Sequence, residues 1–174
     1  MMRSAAQQRD VAEDEVTDAL LALSRVFVGL AARSLAQLDD DVTLRQFRAL
    51  VLLVSRGPQR VVDLAAEMSV QSSTATRLCD RLVRKGLASR HERAEDRRAA
   101  WLALTPAGRD LVGAVMRNRR DAIAALVREL SMTRPLAFAS VLHALVEAAG
   151  EVPTAQWWEQ WERSVVTEDD PSHH

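Results

Sequence analysis

Cysteine is all but missing from this chain. Cys79 is the single one among 174 residues, so no internal disulfide framework can hold the fold. Unbroken apolar runs are short, and none approaches the ~20 residues that a membrane-spanning helix needs. The first 15 residues are polar and charged, without the apolar stretch of a secretory signal. A Gly-rich phosphate loop, a nucleophile elbow, a cluster of metal ligands and a paired-carboxylate site are all absent as sequence patterns. No catalytic residue, metal site or cofactor is therefore expected. Asp39, Asp40 and Asp41 read as a loop between helices, and His91, His143, His173 and His174 are scattered or terminal. The expectation is a cytoplasmic protein that is neither an enzyme nor a membrane protein.

What is present is a globular composition, 48% apolar, of a length that suits one domain. The net charge of −1 says nothing of nucleic acid, but its distribution does. Residues 45–98 hold 12 Lys+Arg against 6 Asp+Glu, and the rest holds 11 against 18. A basic middle between acidic ends suits a polyanionic partner, although a solvated charged surface would look the same. There is no repeat and no low-complexity tract.

Apolar spacing places the elements. Residues 1–12 read as a frayed start. Over residues 13–38, Val16, Ala19, Leu20, Leu23, Val26, Phe27, Leu30 and Ala31 recur at helical steps. Thr43 is positioned to cap a second helix with Phe47, Leu50, Val51 and Val54 inward, and Gly57-Pro58 ends it. Residues 61–68 form a short third helix, Ser69-Val70-Gln71 a turn, and residues 72–85 a fourth helix stopped by Gly86. The period then changes. Residues 87–91 and 100–105 are strand-like around the charged run 92–98, which predicts a β-hairpin with a polar tip. Thr105 and Pro106 open a fifth helix of some 25 residues, and residues 135–149 form a sixth. Beyond Pro153, Trp157, Trp161 and Val165 share one helical face, with Trp158 beside it.

Helix, short turn, helix, then hairpin is the order of a winged helix-turn-helix. In the fourth helix Ala75, Leu78, Leu82 and Val83 face inward. Ser72, Ser73, Thr76, Arg77, Asp80, Arg81 and Arg84 lie largely on the other side. Short hydroxyl side chains there approach bases or phosphates closely. The Arg77 guanidinium suits guanine O6 and N7, and Arg81, Arg84 and Lys85 suit phosphates. An ordinary amphipathic helix with a solvated basic face is the plainer account of this helix alone. The hairpin adds Arg93, Arg97 and Arg98 with Asp96 among them. An Asp two residues before an Arg holds that guanidinium in one orientation, which suits a narrow minor groove.

The runs Asp63-Leu64-Ala65, Thr74-Ala75-Thr76-Arg77-Leu78, Asp80-Arg81-Leu82, Lys85-Gly86-Leu87, Asp96-Arg97-Arg98 and Leu104-Thr105-Pro106-Ala107-Gly108 resemble the MarR-type regulators in order and spacing, over roughly residues 13–149. The resemblance implies a mainly α fold, a winged helix-turn-helix core at 43–105 with a small β-hairpin wing. Terminal helices at 13–38 and 106–150 would form the dimerisation region, and 151–174 is left as a Trp-rich acidic tail. It implies a homodimer on pseudo-palindromic double-stranded DNA, with the fourth helix in the major groove and the wing in the minor groove. By match of motif, Ser73, Thr74, Thr76 and Arg77 fall in the reading segment, and Asp96 and Arg98 fill the wing's Asp-x-Arg pattern. With the residues read from the helix face and the hairpin, the expected major-groove set is Ser72, Ser73, Thr74, Thr76, Arg77 and Arg81, the wing set Asp96, Arg97 and Arg98, and the backbone contacts Arg84 and Lys85.

Two features depart from the pattern. Gln71 stands where a Ser cap is usual, so that Ser72 is expected to cap instead and move the helix start by one residue. The tail is longer and richer in Trp than the family pattern, and its cluster reads as a helix docked on the dimer or as an aromatic lid over a ligand pocket. Trp101 is expected to pack under the wing. Cys79 reads as a half-buried small apolar residue, with Arg77 and Arg81 placed to lower its pKa. The functional expectation is a repressor released by a small aromatic or phenolic ligand, at a site the sequence leaves unknown. The alternative is a winged-helix protein-interaction module that does not bind DNA.

Overall fold

The computed structural model describes residues 2–36, 42–93 and 96–166, with side chains for 7–36, 42–91 and 100–162. Asp39–Asp41, the terminal His pair and the side chain of Val165 lie outside these. The chain divides into two units, Met1–Asp41 and Val42–His174.

The first unit is one helix, α1 (Met2–Ala36). It takes in the stretch read as frayed. Ala5, Ala6, Gln7 and Gln8 are strong helix formers, and Arg9 pairs with Glu13 one turn on at 3.2 Å. Val16, Leu21, Val26, Phe27 and Val28 are exposed along it. By length and composition its residues 7–36 are apolar enough to cross a membrane, with a mean hydropathy of 1.6 over an 18-residue window. A search for unbroken runs passes over this, because Arg25 and Arg33 interrupt the stretch.

The second unit opens on a capping box. The Gln46 N–H donates to Thr43 Oγ1 at 3.3 Å, and the Thr43 N–H donates to Gln46 Oε1 at 2.9 Å. Helix α2 (Leu44–Arg56) follows and ends at Gly57, whose φ of 72° few side chains tolerate. A two-residue strand, β1 (Gln59–Arg60), leads into α3 (Val61–Glu67), and after a turn comes α4 (Ser72–Arg84). Gln71 is the N-cap of α4 and gives it no side-chain hydrogen bond, so the expected shift to Ser72 as cap does not occur. At the other end the Leu87 N–H reaches back to the Leu82 carbonyl at 3.0 Å across left-handed Gly86, which closes the carbonyl end of the helix.

Strands β2 (Ala88–Arg93) and β3 (Asp96–Leu104) are antiparallel, and β1 adds to the other edge of β3, pairing Gln59 with Leu102 and Arg60 with Trp101. Two expectations change here. The charged run 92–98 is mostly strand rather than tip, because the ladder continues to the pair Arg93–Asp96 after an irregularity at His91/Arg93. Strand β1 has too few residues to show a period, and it forms only because β3 offers an edge. Trp101 is half-buried on β3, flanked by the backbones of Arg60 and His91.

Helix α5 (Pro106–Glu129) starts at Thr105, whose Oγ1 accepts from the Gly108 N–H at 3.1 Å and donates to the Gly86 carbonyl at 2.5 Å. The start of α5 thus sits directly on the end of α4. A Cβ on Gly108 would lie 1.9 Å from the Leu87 carbonyl oxygen, so this approach admits only glycine. Helices α6 (Pro135–Ala148) and α7 (Thr154–Val166) complete the unit. Leu50, Leu64, Cys79, Leu82, Leu102, Val112 and Val115 are fully buried and join α2, α3, α4, β3 and α5 in one core. Nothing on α6 is fully buried.

Thr43→Ala removes half of the capping box and should cost about 1 kcal/mol in urea denaturation. Gly108→Ala should cost more, since the obstacle is backbone, with at least the roughly 1–3 kcal/mol of an overpacked core. A Gly108→Ala chain as stable as the parent would contradict this packing.

Candidate nucleic-acid interface

The inner stripe of α4, Ala75, Leu78, Cys79 and Leu82, is buried. Burial of that stripe turns the opposite face outward. Ser72, Ser73, Thr76, Arg77, Arg81, Arg84 and Lys85 are all exposed. Thr74 is half-buried, at the edge where α4 meets α2. The hydroxyls and Arg77 occupy the first turns, and at 1.5 Å per residue Lys85 lies roughly 20 Å beyond Ser72 and about 12 Å beyond Arg77.

Two of these side chains are already held by the helix. Thr76 Oγ1 donates to the Ser72 carbonyl at 2.9 Å, and Arg77 Nε donates to the Ser73 carbonyl at 3.3 Å. The Arg77 bond fixes the root of the guanidinium and leaves its Nη donors for another acceptor, so less rotamer entropy is lost when one arrives. Asp80 pairs with Arg90 of β2, which ties α4 to that strand. Arg60 makes a two-pronged pair with Asp63 at 2.7 and 2.9 Å, and this holds the Asp63 carboxyl below its usual range.

A cleft of about 230 Å³ lies between the start of α2 and the outer edge of α4. Thr43, Arg45, Gln46, Thr74, Arg77, Leu78 and Arg81 line it. Three guanidiniums around one small cleft make a strongly anion-attracting surface. The structure therefore brings together Thr74, Arg77 and Arg81 from the sequence reading and adds Arg45, which that reading missed. The available signal was its place two residues after the Thr43 cap, in the first turn of a helix. Asp96, Arg97 and Arg98 are on β3 by backbone, and their side chains lie outside the described ones.

Cys79 departs from expectation. It is fully buried rather than half-buried. Desolvation pushes its pKa up from 9.0 to about 11, outweighing the attraction of Arg90. Arg77 and Arg81 stand on the solvent side of the helix and do not activate it.

A family model described as MarR family matches residues 42–100. The crystal structure of RV1404 from Mycobacterium tuberculosis is 40% identical with a TM-score of 0.75, covering 81% of this chain and 96% of that one. A MarR family protein from Bacillus stearothermophilus shares the fold, with a TM-score of 0.72 at 24% identity, covering 83% and 98%. The HTH-type transcriptional regulator YfiV of Bacillus subtilis is 37% identical over 65 residues, which are 37% of this chain and 41% of that protein. The chain spans about half or less of the length of the curated relatives it matches.

A thiol-alkylating reagent at pH 8 should leave Cys79 unmodified in the native protein and label it after denaturation. The thiol's contribution to stability should be present below pH 9.0 and be lost as pH rises towards about 11, a loss that Cys79→Ala should abolish. Native labelling at the rate of a free thiol would contradict the burial.

Proposed function

The chain belongs to the MarR family of transcriptional regulators, and on that premise we propose that it is a DNA-binding repressor. It grips a pseudo-palindromic operator as a homodimer, and a small aromatic or phenolic ligand releases it. The observation that carries this reading is the division of α4 into a buried apolar stripe and an outer face of hydroxyls and arginines, with Arg45 joining Arg77 and Arg81 around one cleft.

In this reading the first turns of α4 enter the major groove. Ser72, Ser73, Thr74 and Thr76 approach base edges and phosphates, and Arg77 bonds a guanine edge. Arg45, Arg81, Arg84 and Lys85 hold the phosphate backbone and set the register. The wing lies along the minor groove, where Asp96 orients Arg98 and Arg97 lies beside it.

Residues 13–38 and 106–150 form the dimer. The apolar side chains exposed on the single chain support this, among them Leu126, Leu130, Leu136, Phe138, Val141 and Leu145 on α5 and α6. An apolar surface of that extent suits a second copy. Two reading helices then sit one turn of DNA apart, ~34 Å, and a ligand that favours another spacing lowers affinity by its preference between the two states. The protein works in the cytoplasm, where its DNA is. A winged-helix interaction module without DNA binding is the competing reading, and the three arginines of the cleft argue against it.

Fluorescence anisotropy against a duplex from the chain's own upstream region, with a scrambled control and a salt series, is the test. Selective binding that weakens with salt is expected, and no binding even at low salt would contradict the reading. Arg77→Ala should lose discrimination within the half-site, by about 1–3 kcal/mol at one base pair. Arg81→Ala should weaken all sequences alike and lower the salt slope by about one. Arg98→Ala should reduce the preference for A·T-rich flanks. A variant that binds as the parent does would remove that residue from the interface.

A further inference from the structure

Helix α7 is seated on the winged-helix core itself. The Trp161 indole N–H donates to the Arg109 carbonyl of α5 at 3.4 Å, and its ring lies over Gly113, 3.1 Å from where a Cβ would stand. Trp157 is 5% exposed, and it and Trp161 both meet Trp158 edge to face, with centroids 4.9 and 5.5 Å apart. Glu151, just before α7, pairs with Arg48 of α2 at 2.7 Å.

Helix α2 needs such cover. Gln46, Phe47, Ala49, Leu50, Leu52, Leu53 and Val54 are all buried, and at 100° per residue they span an arc of roughly 220°, about twice the usual apolar stripe of a one-sided helix. Helix α4, β3 and α5 border part of it, and α7 borders more. The same α2 carries Thr43, Arg45 and Gln46 into the arginine-lined cleft. One helix thus connects the seat of α7 to the candidate DNA surface.

The seat is finely balanced. The Trp157 indole N–H and the Gln160 Oε1 are buried with no hydrogen-bond partner among the described residues. The cost of each such atom is comparable to what burial of one large apolar side chain contributes. A helix of 13 residues is also marginal by itself in water, so release and unfolding of α7 go together.

We propose that α7 is a detachable clamp that sets DNA affinity. Seated, it fixes α2 against α5 and holds the cleft of Arg45, Arg77 and Arg81 in its binding geometry. Released, it uncovers α2 and loosens the cleft. The clamp rests on the DNA-binding reading above and adds to it a regulatory element outside the winged helix.

The test uses the full chain and two variants. Gly113→Leu strengthens α5 as a helix while driving a side chain into the Trp161 ring. Trp157→Asp/Trp161→Asp removes the apolar anchors. In the parent and in Gly113→Leu, tryptophan emission and acrylamide quenching report α7, which carries three of the four tryptophans; in the double variant the far-ultraviolet loss of one 13-residue helix reports it, and anisotropy reports duplex affinity. Gly113→Leu should shift emission to the red, and both variants should keep the helical circular dichroism of the rest and bind duplex five- to tenfold more weakly. Because coupling is reciprocal, added duplex should draw the red-shifted emission of Gly113→Leu back towards the parent's. Affinity within twofold of the parent despite the red shift would overturn the clamp alone. Emission unmoved in Gly113→Leu would overturn the seat. A parent that binds no duplex would overturn the DNA-binding reading and the clamp with it.

Discussion

The polar outer face of α4 follows from the burial of one apolar stripe on the same helix. Ala75, Leu78, Cys79 and Leu82 are buried, as are Leu50, Leu64 and Leu102 of the elements around them. A helix has only one angular setting that hides those four positions. That setting leaves Ser72, Ser73, Thr76, Arg77, Arg81 and Arg84 outside. The core is thus what presents the polar face, and the caps and turns at both ends of α4 keep it in register. A polar substitution at Leu82 or Cys79 would change the surface by way of the core.

Helix α2 is the second constraint. It borders α4, α5, β3 and α7, and its first turn reaches the cleft. The arginines therefore gather around a junction of packed helices and not on a mobile loop. The ion pair of Asp80 with Arg90 and the pair of Arg60 with Asp63 are partly exposed and individually worth little. Their effect is orientational. They connect α4 to β2 and β1 to the start of α3.

Local chemistry was legible in the sequence, and distant contact was not. Thr43, Thr105, Gly57 and Gly86 mark helix ends by rules that act within a few residues, and the boundaries of α2, α4, α5 and α6 follow within a residue or two. The outer face of α4 is legible because its period is strong, although Asp80 and Val83 are both half-buried at its borders and Cys79 belongs to the inner stripe. Strand β1 was invisible, since Gln59 and Arg60 pair only because Leu102 and Trp101 lie opposite. The hairpin was read too short, because charged residues suggested a tip where the ladder in fact continues. Arg45 gave no such signal because the arginines it joins in the cleft, Arg77 and Arg81, are more than 30 residues away in sequence. The tail was legible as a helix with one aromatic face, but its seat depends on Gly113, which carries no periodic signal at all. Cys79 was misjudged for a related reason: flanking arginines in sequence point away from it in space, and desolvation decides its chemistry.

Hydroxyl-radical footprinting of the chain on a duplex that it binds tests the central claim most directly. Two protected patches on one face of the DNA, about one helical turn apart, are expected if α4 of each of two chains occupies a major groove. A single protected patch, or protection with no helical phase, would contradict the paired reading helices on which the account depends.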